Sequence, residues 1–195
     1  MSASSTRPTL ARVVVTAGRL AVTFGAALTL SACTPVIGLG GAEAAAPAST
    51  KWTPDTDVAW KELQRALVGT WQATTPDNRL FVLTVRLVSN GTALVETFAS
   101  SASGKETLSV YHRDGGTLML THYCAQGNQA RLKAVTATRE RVVFAFLDAT
   151  NVAGEQDVMQ QLTVALRPGG FDQETVYRLP NGTLQTTTLR FVREP

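Results

Sequence analysis

The stretch "TLMLTHYCAQGNQ", Thr117 to Gln129, carries one of the chain's two histidines and one of its two cysteines. In an extended strand His122 and Cys124 share a face, with Cα atoms about 6.5–7 Å apart. Three chemistries compete for such a pair. A transition metal needs three or four ligands, and the chain offers one further imidazole, His112, beside a turn rather than level with His122; a carboxylate would still be required. A nucleophilic thiolate needs an imidazole in contact and surroundings that lower its pKa, and neither a glycine-rich elbow nor a helix N-terminus precedes Cys124. A structural role asks least. His122 would sit hydrogen-bonded on an inner or sealing surface, and Cys124 would fill space where the strand enters a turn at Gly127 and Asn128, with Asn128 and Gln129 pinning backbone groups. That role is the reading adopted, with a ligand-contacting His122 as its functional variant; no metal site and no catalytic residue is expected.

Other residues could line the same pocket. Glu96 in "LVETF" interrupts an apolar strand, so it either meets a ligand head group or faces water, and water is the simpler reading. Arg86 alternates with Thr84 on an outward face. Met119, Met159, Phe144 and Phe146 read as core or cavity lining, which a single strand's pattern cannot separate.

The elements that must position these residues follow from periodicity. "TPDTDVAWKELQRALVG" places Ala59, Trp60, Leu63, Ala66 and Leu67 at helical spacing, with Asp55 or Thr56 as cap and Gly69 past the end. From Thr70 onward the period becomes two. "RLFVLTVRLV", "TLMLTHYC", "VVFAFLD", "VMQQLTVALR", "FDQETVYR" and "TLQTTTLRFV" are separated by short links such as "SNG", "RDGG", "PGG" and "LPNG", whose residues accept positive φ. Without crossover helices a parallel sheet is excluded, and so many strands without a covering layer should close on themselves. The expected fold is mainly β: a single closed antiparallel up-and-down barrel of about eight to ten strands, preceded by one short helix, over residues 55–195.

The N-terminus reads as an address. Arg7, Arg12 and Arg19 lead an acid-free segment, and "LAVTFGAALTLSA", Leu20 to Ala32, is an apolar run too short for a membrane-spanning helix. "LSAC", Leu30 to Cys33, resembles the lipobox of bacterial lipoproteins. That resemblance implies a signal peptide over 1–32, diacylglycerol on Cys33, an extracytoplasmic place in the cell envelope, and the membrane as partner. Thr34 after the cysteine leans to the outer membrane in a cell with two membranes, facing the periplasm. Residues 33–54, rich in Ala, Gly and Pro, form a tether; about 20 flexible residues reach roughly 25 Å. Removing the three leader arginines from the 18 basic residues leaves 15, against 15 acidic ones. A neutral mature domain gives no electrostatic case for nucleic acid. With Cys33 lipidated, Cys124 has no disulfide partner, and a lone thiol in an oxidising envelope is expected to be buried.

"LVGTWQ", Leu67 to Gln72, resembles the Gly-x-Trp signature of lipocalin-like barrels, the calycin group. The resemblance assigns Gly69 and Trp71 to the closed end, with an arginine of "LRFVRE", Arg193 rather than Arg190, lying across the indole. "NGTALVETF", "THYCAQGNQARLKA" and "FAFLDATN" resemble an uncharacterised family of bacterial lipocalin-like domains over most of residues 65–193. A His-Met pair is common there in a later strand; here Met159 is present and Val158 stands in the histidine's place. Some calycin-like barrels hold haem through one histidine, a role open to His122, but no attachment motif accompanies it and no cofactor is expected. The resemblance implies a barrel binding one small apolar or amphipathic molecule. The alternatives are a filled barrel acting through its outer surface, or an enzyme pairing His122 with a carboxylate.

Overall fold

The computed structural model describes residues 54–193. The expected leader, Cys33 and residues 34–53 lie outside them. A helix, α1 (Pro54–Leu67), is followed by ten strands: β1 (Gly69–Thr74), β2 (Leu80–Val88), β3 (Ala93–Ser100), β4 (Glu106–Asp114), β5 (Thr117–Tyr123), β6 (Gln129–Ala137), β7 (Arg141–Thr150), β8 (Val158–Arg167), β9 (Gly170–Arg178) and β10 (Leu184–Arg193). Each strand pairs antiparallel with its sequence neighbour, and β10 returns to β1, closing an up-and-down barrel. The closing seam is short: Trp71 opposite Arg193 and Gln72 opposite Val192.

One half of the barrel interior is solid. Leu94, Tyr111, Leu118, Leu120, Leu132, Phe144, Phe171 and Phe191 are essentially unexposed there. Phe171 stacks on Phe191 and meets Trp71 edge-on. The helix plugs this end. Its apolar stripe, Ala59, Trp60, Leu63 and Leu67, is buried, and its polar rim ties it to two strand links and to β4. Gln64 donates to the Gly91 carbonyl, Arg113 pairs with Asp57, and Arg139 pairs with Glu62. An amphipathic helix on an apolar barrel end removes from water two surfaces that would each be unstable alone.

Two glycines are demanded by close approach. At Gly170 a Cβ would stand 2.0 Å from the Phe191 carbonyl oxygen, so β9 and β10 could not pair as they do. At Gly69 the backbone has φ +136°, and a Cβ would lie 2.6 Å from Arg193 Nη1.

Candidate functional site

The opposite half of the barrel is open. Its mouth encloses about 300 Å³, room for roughly ten waters at their liquid volume. Apolar walls come from Phe81, Phe98, Met159, Leu162 and Leu189, and polar ones from Thr107, Thr175, Gln185 and Thr187. At its inner end lies a hydrogen-bonded cluster carried on neighbouring strands. Antiparallel register sets Glu96 of β3 opposite Ser109 of β4, and Ser109 opposite His122 of β5, so the three stand at one level. All three are buried, with Glu96 only 3% exposed.

Glu96 Oε2 accepts from the Tyr111 hydroxyl at 2.6 Å and from Gln173 Nε2 at 3.0 Å. Burial pushes the Glu96 carboxyl up to about 7, against the pull of hydrogen bonds from Tyr111, Gln173 and Ser109, which favour the ionised form. His122 Nδ1 lies 3.1 Å from Ser109 Oγ, and Nε2 lies 3.2 Å from the Tyr177 hydroxyl. Burial lowers the imidazole pKa to about 4, so the ring is neutral at neutral pH. Burial also raises the Tyr177 phenol, which keeps its proton. With Glu96 ionised, Ser109 donates to it and accepts from Nδ1–H of His122, and Nε2 accepts from Tyr177. A continuous path of donors runs from Tyr177 at the mouth inward to the carboxylate.

At the sealed end, the Arg193 guanidinium stands 4.5 Å over the Trp71 ring, and Trp71 Nε1 donates to the Leu67 carbonyl at 2.7 Å. Arg193 also reaches the Val68 carbonyl at 3.5 Å, so one side chain bridges β10, β1 and the helix end. Arg190 instead pairs with Asp172.

The pocket residues expected from sequence are divided by the structure. His122, Glu96 and Met159 line the cavity. Glu96 therefore departs from the solvent-facing reading: its alternation with Leu94 and Phe98 turns it inward. Met119 is buried, but it alternates with Leu118 and Leu120 and lines an outer groove beside Lys133 and Leu147. Phe144 points inward yet belongs to the solid half, edge-on to Tyr111 at 5.7 Å. Phe146 is 39% exposed. The β7–β8 ladder stops at Ala145, and the β6–β7 register shifts between Arg131 and Leu132, so Phe146 lies where its strand has parted from β8.

Cys124 is partly exposed rather than buried. It lies just past β5 in a turn closed by its amide and carbonyl to Asn128 and Gly127, and its Sγ receives the Gln126 amide at 3.5 Å. Both ring nitrogens of His122 are engaged by Ser109 and Tyr177, so no Cys–His pair forms. His112 is on the outward face of β4, beside the inward Tyr111, and near the helix plug. Among the described residues no three His, Cys, Asp or Glu side chains gather as metal ligands.

Asn128 is fully buried and donates to the Asp157 carbonyl, tying the β5–β6 turn to the β7–β8 link, while Gln129 donates to the Gly127 carbonyl. Sequence reasoning missed Ser109, Tyr111, Gln173 and Tyr177. Each alternates with inward neighbours along its strand, a signal that needs the register before it separates inward polar groups from outward ones.

A closed antiparallel barrel, solid at one end and hollow at the other, is consistent with a lipocalin-like fold. No protein-family model matches the chain, and no curated protein matches it either.

Proposed function

We propose that this chain is an envelope lipoprotein, anchored by lipid on Cys33, whose barrel mouth binds one small amphipathic molecule. The observation that supports the ligand is the open cavity ending on a buried polar cluster. Apolar walls hold the body of the molecule, and Glu96 with Gln173 and the donor path from Tyr177 orients its polar group. Ligand sites of this kind are mostly apolar with a few fixed polar groups. A filled barrel acting only through its outer surface is disfavoured by the same cavity. An enzyme pairing His122 directly with a carboxylate is disfavoured, because His122 is held at both nitrogens and joins Glu96 only through Ser109.

Native mass spectrometry of the full chain from its own host tests the ligand. The expected spectrum shows a one-to-one adduct that Thr187→Trp, at the mouth, removes; an adduct unaffected by that substitution would contradict the site. Cys33→Ala should release the chain from pelleted membranes, and unchanged pelleting would contradict the anchor.

A further inference from the structure

Resting on that reading of the mouth, we infer that its ligand carries a cationic nitrogen, such as a primary ammonium, seated against Glu96. The cavity wall presents one carboxyl group at its inner end, and the groups around that carboxyl are uncharged. Tyr111 and Ser109 reach it from β4 and Gln173 from β9. His122 from β5 touches Ser109 and is neutral. On β2, Val85 stands opposite it. The cation that lines the cavity is Arg79, at the outer rim, bound to Asp77 at 2.8 Å and placed over Phe81. Tyr177, at the mouth, has Cys124 and Asp157 nearby, and neither brings a positive charge.

A buried carboxylate without a counter-cation is costly, and here burial holds Glu96 near half-protonation at neutral pH. An ammonium in the same cavity would supply the missing charge and a charge-assisted hydrogen bond, with Glu96 giving its proton to solvent. A carboxylate ligand would meet like charge, and an alcohol would gain only a neutral hydrogen bond. The polar wall fits a donor, because Glu96 is the one strong acceptor at the inner end and its partners already donate to it.

Calorimetric titration of the full chain with 2-phenylethylamine, 2-phenylethanol and phenylacetate compares three head groups on one ring. The amine should bind at least about tenfold tighter than the alcohol, and the acid most weakly. Amine affinity should fall by up to about tenfold per pH unit between pH 7 and 5, as Glu96 takes up its proton. Glu96→Gln should abolish both the preference for the amine over the alcohol and the pH dependence. Equal or tighter binding of alcohol or acid, a pH-independent amine affinity, or an amine preference retained in Glu96→Gln would each overturn the inference and leave the ligand-binding mouth standing. Failure of all three compounds to bind also overturns it, and the native mass spectrum then decides separately whether the mouth holds another molecule.

Discussion

The two ends of this barrel are made from the same ten strands and solve opposite problems. At the helix end the inward positions are Trp71, Tyr111, Phe144, Phe171 and Phe191, closed over by α1 and by Arg193. At the mouth the same strands turn inward Ser109, Glu96, His122, Thr175 and Tyr177, around open space. Two residues along a strand are enough to pass from core to cavity, as from Tyr111 to Ser109 on β4 and from Phe171 to Gln173 on β9. The division places stability where packing is densest and leaves the other end to carry polar groups whose burial costs free energy. A uniformly packed barrel would be more stable and would hold nothing.

The largest effect is expected at the sealed end. Trp71→Ala removes the indole under Arg193, its contact with Phe171 and its hydrogen bond to Leu67, and should cost about 3–5 kcal/mol in a denaturant titration. A loss below about 1 kcal/mol would mean that the sealed end does not hold the fold.

The mouth should show itself through pH. The folded pKa of Glu96 is raised from 4.5 to about 7, so the stability it favours is present at low pH and is lost as pH rises through that window. The folded pKa of His122 is lowered from 6.5 to about 4, so its contribution is present at high pH and is lost as pH falls. Between roughly pH 4.5 and 6.5 the two slopes oppose each other and should nearly cancel. Glu96→Gln should therefore unmask a fall in stability on acidification, by up to about 1.4 kcal/mol per pH unit. His122→Gln should unmask the reverse. Thermal melts across that range check both, and identical pH profiles in the two variants would refute the assigned environments. A smaller effect is expected at the seam. Arg193→Ala loses the stack on Trp71 and should cost about 1 kcal/mol in the same titration, with the pH profile unchanged.

The fold was legible because its signals are local and repeated. The helix period before Gly69, the period of two after it, and the short links left few architectures open. The sealed end carried its own mark in Gly69 and Trp71. The mouth was harder to read, for reasons visible in particular residues. Glu96 looked solvent-facing because a carboxylate in a strand usually is, although its alternation with Leu94 and Phe98 already pointed inward. Gln173 and Tyr177 sit among Asp172 and Glu174 and look alike until β9 is registered against β8 and β10. Phe146 and Met119 show the converse: apolar side chains assigned to the pocket lie outside it, one beyond a parted ladder and one on the outer face. Periodicity gives the element; the face it turns to the cavity is set by pairing with distant strands.

A ligand site at the mouth and a mere defect of packing there differ in what they hold. Thr187, exposed at the rim and lining the cavity, provides the test. The measurement is binding of an apolar fluorescent dye to the wild-type chain and to Thr187→Trp, with a melt of each. For a ligand site, the wild type should bind one dye per chain, the tryptophan should block it, and the melting temperatures should agree within about 3 °C, since an exposed rim position carries little stability. Undiminished dye binding in Thr187→Trp would contradict it, because the molecule would then be held somewhere other than the mouth.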